Sequence, residues 1–506
     1  MKARWLLFLF ATLASAESGA VTGPMVVSDR WPQCTTLDGW TKDVMRLDNL
    51  EHASETEQAK AFFHWLRLFS RMATGGMIQA WEGDGGREKY VTDAHKNLFV
   101  YGWGYCDTTS RIAEAAWSEF KHDPSAAERV VLQHEDGGYH TLFRLRLDGH
   151  YGAFDPRYGY YLIDHDAPDA RILDWPEIHD NIAKNKTYRN RSAPFFEYFG
   201  LEWQRAQLIQ PAYYDTEEKW TAAGKPKETV FGNRQYESGT RFHDMDFQLL
   251  PGMTIERHWD NSARKFYVPT GPHTQKEEAF LPSGRFYRVT ETMLDGNWVK
   301  YDPNYQKAKP YLASIPKNEG YNQDVSGGRT IGQAWGKIKY RPDAQTASGE
   351  MIDIYSPFVL VDGSLKTPAA LEIRTLRAKA SSEAEPDAWS GWMIVQTGEL
   401  KQVKGVYRFQ IRGAARSLRA LELEAYFENG IMSIPQIFSG RNKMHFQVRD
   451  ATVITRPLTV TYRYQTADGE RMHTHRLARS DFSGNVAAYE IDAPGLERCN
   501  SLTIAY

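Results

Sequence analysis

The chain has 506 residues, 42% hydrophobic and 25% charged, with a formal net charge of −3 at pH 7. That length is more than one hydrophobic core ordinarily serves, so two to four domains are expected. The near-neutral charge leaves no electrostatic footprint for nucleic acid or an anionic membrane surface. Aromatic residues reach 13%, with 15 Trp and 27 Tyr, which suits β-rich cores and also flat surfaces that bind sugars or peptides.

Reading from the start, Lys2 and Arg4 precede an apolar run from Trp5 to Leu13, followed by Ala14-Ser15-Ala16. This is the pattern of a signal peptide over 1–16, cleaved after Ala16. The run is short of the roughly 20 residues a bilayer span needs, and no later stretch is long and apolar enough. The expected location is secreted or periplasmic. An exported domain stapled by disulfides would use more cysteine than the three present, Cys34, Cys106 and Cys499. Their odd number leaves at least one thiol without an internal partner, and a Cys34–Cys499 bridge stays open.

Ser54-Glu55-Thr56-Glu57 resembles a capping box. Ala59, Phe62, Phe63, Leu66, Phe69 and Met72 then recur at helical spacing, as far as a break at Gly75-Gly76. A second helix is predicted from Cys106, with Ile112, Ala113, Ala116, Trp117 and Phe120 on one face and a stop at His122-Asp123-Pro124. Alternation over Thr141–Leu147, a turn at Asp148-Gly149 and a return over Tyr151–Phe154 predict a β-hairpin.

Beyond Ile209 the helical signal fades. Short strands are predicted over Phe242–Leu250, Lys265–Val268, Arg285–Thr290 and Asn297–Tyr301. After a linker at Ala380–Pro386 they resume over Trp392–Gln396, Val406–Arg412, Ala420–Phe427, Lys443–Val448 and Leu458–Tyr464. The expected division is a catalytic domain over 17–208, a middle β-domain over 209–378 and a C-terminal β-sandwich over 387–506.

The chemistry concentrates at Cys106. A thiol of ordinary pKa, near 8.5, is mostly protonated at pH 7. A helix start favours the thiolate through its dipole and free N–H groups, and those amides can also receive a developing oxyanion. Gly102 and Gly104 let substrate approach the backbone. His140 opens the first hairpin strand and Asp155 closes the second, so the carboxylate can hold the imidazole's tautomer beside the thiol.

Gly-x-Cys at a helix start, His at a strand start, then an aromatic residue before Asp155-Pro156 resembles the transglutaminase-like superfamily. The likeness is good over Phe99–Tyr161 and loose over 17–204, and it does not reach the β-domains. It implies a papain/transglutaminase-like N-terminal domain; with the two antiparallel β-sandwich-like domains that the strand spacing predicts, the expected fold class is α+β. Residue by residue, it implies Cys106 as nucleophile, His140 as base and acid, and Asp155 as orienting carboxylate. Thr141 after His140 departs from the commoner aromatic. A Trp assisting the oxyanion would be Trp65, Trp81 or Trp103.

Trp103, Tyr105 and Tyr139 are the candidate substrate-binding residues. Asp302, in a sequence echo of the Asp155 segment, lacks an upstream nucleophile in its own region and reads as a turn. The spacings of His134, His140, His150 and His165 match no standard zinc pattern, and no metal or cofactor is expected. The expected activity is that of a cysteine hydrolase or acyltransferase, peptidase or amidase ahead of cross-linking. It would act on a protein, peptide or polysaccharide polymer outside the cytoplasm, with no nucleic-acid partner and no membrane span. The alternatives are a carbohydrate-active enzyme, such as a polysaccharide lyase, on the same scaffold, and a non-catalytic binding protein.

Overall fold

The computed structural model describes residues 19–72, 80–83, 89–104, 106–133, 139–156, 160–164, 170–177, 195–198, 242–259, 263, 265, 267, 286–287, 322–324, 329–331, 333–342, 351–377 and 388–506. The expected signal peptide, the whole expected linker, the strand expected over Asn297–Tyr301 and the Asp302 echo lie outside them. The architecture is mixed α and β, rich in strand, with several antiparallel sheets.

Two short strands, β1 (Val21–Thr22) and β2 (Met25–Ser28), open the chain and pair far from it, with Gln248–Leu249 and Gly440–Gln447. Helix α1 (Leu37–Leu47) starts where the Thr36 side chain accepts the Gly39 N–H at 3.1 Å, and it buries Leu37, Trp40, Val44 and Met45. Helix α2 (Glu55–Phe69) starts at the expected cap, with Ser54 Oγ accepting the Glu57 N–H at 3.3 Å. It ends at Phe69, short of the expected Gly75-Gly76. Arg71–Met72 instead forms β3, which pairs in parallel with β6 (Trp103–Gly104). Between them β4 (Trp81–Glu82) pairs with β5 (Lys89–Tyr90), and Lys96–Tyr101 winds as one π-helical turn.

Helix α3 (Cys106–Phe120) packs on β7 (Ala127–Gln133) and β8 (Tyr139–Leu147). The next three strands are β9 (His150–Asp155), β10 (Tyr160–Ile163) and β11 (Phe195–Tyr198). From β7 to β11 they form a five-stranded antiparallel meander in chain order. The β8–β9 turn has positive φ at Asp148 (48°) and Gly149 (90°), the backbone of a tight hairpin turn matched to strand twist. Phe143 stacks on Phe154 at 5.4 Å, and Phe63 of α2 meets both rings. Trp117 of α3 leans on Phe62 at 5.2 Å. Each such buried side chain contributes roughly 1.5–3 kcal/mol by leaving water.

Among the remaining strands, Met253–His258, Met351–Tyr355 and Leu371–Arg377 alternate buried and half-exposed residues, the period of a sheet with one face in the core. Their largest sheet has eight antiparallel strands. In spatial order these are Gly398–Glu399, Leu360–Lys366, Glu422–Gly430, Gln333–Tyr340, Met253–His258, Leu496–Ala505, Leu458–Thr466 and Gly469–Leu477. Strands from both sides of the expected linker therefore share one sheet.

A four-stranded sheet orders Met351–Tyr355, Val406–Arg412, Leu371–Arg377 and Met393–Val395. The strand expected over Phe242–Leu250 shrinks to Gln248–Leu249. Upstream of it, the Phe242 and His243 N–H groups donate to Asp93 instead of a ladder.

One apolar core runs through helices, meander and β-body alike. Trp31 joins them. Its ring lies 5.7 Å from those of Trp65 and Phe69 of α2, and its indole N–H donates to the Met432 carbonyl at 2.9 Å. Among the described residues no helix is long and apolar enough to cross a membrane.

Candidate active site

Cys106 is the first residue of α3 and is buried, with 2% of its surface exposed. The first-turn amides of that 15-residue helix have no intrahelical acceptor. Gly104 permits this arrangement, because a Cβ there would lie 2.4 Å from the Thr108 methyl carbon.

Asp107 places an acid beside Cys106, where it would repel a thiolate. Two arginines compensate it: Arg111 Nε donates to Oδ2 at 2.8 Å and Arg129 Nη1 to Oδ1 at 2.9 Å. Arg129 also holds Glu114 at 2.9 Å, and burial raises the Glu114 carboxyl above its ordinary value. The network ties α3 to β7. Neither arm was read from the sequence; the i,i+4 spacing of Asp107 and Arg111 was the signal that could have shown the helical one, whereas Arg129 lies across a turn.

His140 lies in β8, where its backbone is opposite Leu132 of β7. It stands three residues from Phe143, the last β8 residue paired with β9, toward the open end of the hairpin. Asp155 closes β9 next to Phe154, the partner of Phe143. Asp155 is 2% exposed and stands opposite Tyr160 of β10. The hairpin thus brings the backbones of His140 and Asp155 to one end of adjacent strands, and α3 lies across β7 and β8.

Trp103 is a core residue at 3% exposure, with its ring edge-on to Tyr101 at 6.4 Å. Tyr139 begins β8, and Tyr105 lies outside the described residues. The Trp65 indole is committed to Asp48 Oδ2 at 3.1 Å. The Trp103 Nε1 has no hydrogen-bond partner among the described residues, a condition it shares with Trp40 and Trp117.

All three cysteines are free, so no Cys34–Cys499 bridge forms. Desolvation pushes the Cys34 thiol up strongly. Burial pushes Cys499 up to about 12. Neither is suited to act as a nucleophile at neutral pH. Among the described residues no group of three or more His, Cys, Asp or Glu side chains could hold a metal ion. No family model matches the chain. No curated protein matches it.

Proposed function

We propose that the chain is a thiol hydrolase that cleaves an amide or related acyl bond through Cys106, with His140 as acid and base and Asp155 as the orienting carboxylate. One observation carries this reading. The cysteine begins a helix packed on β7 and β8, β8 itself carries His140, and the neighbouring β9 ends at Asp155.

In this reading the Cys106 thiolate attacks the carbonyl carbon, and the α3 first-turn amides receive the oxyanion. The C–N bond breaks as the His140 imidazolium gives its proton to the leaving amine, and a thioester remains. His140 then takes a proton from water, the hydroxide displaces sulfur, and a carboxylic acid and the thiolate result. Asp155 holds one imidazole tautomer throughout. Water as the resolving nucleophile needs no special exclusion of solvent, which favours hydrolysis over cross-linking.

The test uses p-nitrophenyl acetate and a set of peptide amides. The expected result is one acetyl group on Cys106 by mass spectrometry after acid quench, no turnover by Cys106→Ala, and about 10²–10⁴-fold slower turnover by His140→Ala. Acetyl groups elsewhere, or undiminished turnover by Cys106→Ala, would refute the assignment. Polysaccharide cleavage retained by that variant would move the site off the thiol.

A further inference from the structure

A buried polar cluster lies immediately before the Cys106 segment, and the mechanism above does not use it. Glu82 is 1% exposed, as is Lys96, and they pair at 2.7 Å. The other Glu82 oxygen accepts the Tyr101 hydroxyl at 2.7 Å and also the Tyr407 hydroxyl. The Lys96 ammonium sits 4.4 Å from the centre of the Tyr407 ring.

Around this core, Asp93 accepts the Lys96 N–H at 2.9 Å and the Phe242 and His243 N–H groups at 2.8 and 3.1 Å. His95 stands 3.9 Å from Asp93. The His243 ring lies 4.7 Å from that of Tyr407, and its Nε2 is 2.7 Å from the Pro357 carbonyl. Glu428 accepts the Tyr267 N–H at 2.6 Å, and the Tyr267 hydroxyl donates to the Gly83 carbonyl at 2.9 Å.

Two features direct this cluster at the nucleophile. Lys96 and Tyr101 are the first and last residues of the π-helical turn, a form that concentrates at functional sites. Tyr101 precedes Cys106 by five residues, with Gly102 and β6 among those between them. In addition, Gly430 at the end of its body strand presses on that turn: a Cβ there would lie 3.0 Å from the Phe99 carbonyl oxygen and 3.6 Å from the Gly102 nitrogen. Removing one partner of a buried ion pair is strongly destabilising, so the turn is held firmly. Its outer contacts, Tyr407 and Gly430, belong to the β-body.

We propose that Tyr407 and Gly430 are positioning residues for Cys106, acting through Glu82, Lys96 and Tyr101 on the π-helical turn. The β-body is then part of what aims the thiol, besides any role in holding a polymer. This rests on the thiol-hydrolase reading.

The experiment measures the rate of iodoacetamide alkylation at Cys106 against pH, by peptide mass spectrometry, on the full folded chain. Tyr407→Phe keeps the ring over Lys96 and removes only the hydroxyl. Gly430→Ala, at a φ of −60° that alanine adopts freely, adds only the methyl. Ile373→Val, buried in the four-stranded sheet, makes none of the cluster's hydrogen bonds and serves as the stability control.

The expected result is about tenfold slower alkylation at pH 7 in both test variants, as misplacement of a reacting group predicts. The midpoint of the rate–pH profile should move, while Ile373→Val keeps the wild-type profile. A wild-type profile in Tyr407→Phe and Gly430→Ala, or an equal change in Ile373→Val, overturns the positioning role and leaves the hydrolase reading standing. Wild-type Cys106 alkylating no faster than a cysteine in a short peptide overturns both.

Discussion

The meander β7–β11 and the eight-stranded sheet of the body are both antiparallel, yet they are assembled by opposite rules. In the meander each strand lies beside its neighbour in sequence, joined where the Asp148-Gly149 turn dictates the reversal. In the body, Leu496–Ala505 lies between Met253–His258 and Leu458–Thr466. Short connections and turn residues can specify β7 to β10 of the first arrangement locally, whereas β11 joins only after 31 intervening residues. The second has to be selected by burial, because its partners meet only after long loops close. The two nevertheless share one apolar core, which predicts that they unfold together.

The harshest challenge to that prediction is Leu502→Asp. Leu502 is 1% exposed in the last strand, between Arg257 and Tyr462 in the ladder, and an ionised carboxylate there costs several kcal/mol. Loss of both the far-UV strand signal and the near-UV aromatic signal is expected. A surviving aromatic signal from α2 and the meander would show two independent units.

Phe143→Ala attacks the other side, removing a ring stacked on Phe154. It should cost about 3–5 kcal/mol in a denaturant titration, still in one transition; a second transition would separate the regions. Gly149→Ala probes the turn alone. Nothing lies within 4 Å of a Cβ there and φ is 90°, so the cost is backbone strain, about 1–2 kcal/mol.

The smallest effect is expected at Glu256 in the body. The His258 imidazole, with Nε2 3.2 Å from Oε1, then Lys337 and Lys339, hold its carboxyl down from 4.5 to about 2. A carboxyl lowered by folding stabilises above its unfolded value and loses that contribution as pH falls through the folded one. Glu256→Gln should therefore be less stable than wild type at pH 7 by about 1 kcal/mol or less, since the pair is partly solvated. The gap should close between pH 4.5 and about 2. A constant gap across that range would assign the loss to packing.

Legibility in the sequence followed the same division. The hairpin, the α2 cap and the start of α3 at Cys106 were readable from turn chemistry and periodicity, which act over a few residues. Helix α1 escaped notice although Thr36 caps it and Leu37, Trp40 and Val44 share its buried face; its run is short and Gly39 interrupts it. Strand β7 was missed as well. In the body, the strands from Trp392 to Tyr464 were found from their spacing, while Gly469–Leu477, Val486–Ala493 and Leu496–Ala505 were missed; the neighbours were not legible either, since alternation specifies a buried face and leaves the partner open.

At the site, the order of Cys106, His140 and Asp155 was visible. The cluster behind it was not, because Glu82 meets Lys96 from 14 residues away and Tyr407 from 325. Phe242–Leu250 failed as a strand for a related reason: a distant acid, Asp93, captures the N–H groups that a ladder would have used.

The placement of Leu496–Ala505 also bears on how the protein is made. During synthesis the strands Met253–His258 and Leu458–Thr466 emerge before the segment that separates them, so each waits with a bare row of N–H and C=O groups. Until residues 496–505 leave the ribosome the sheet has two sticky borders. A chain stalled short of residue 496 is then a substrate for aggregation or proteolysis, and a short peptide matching 496–505 should bind it as a missing stave.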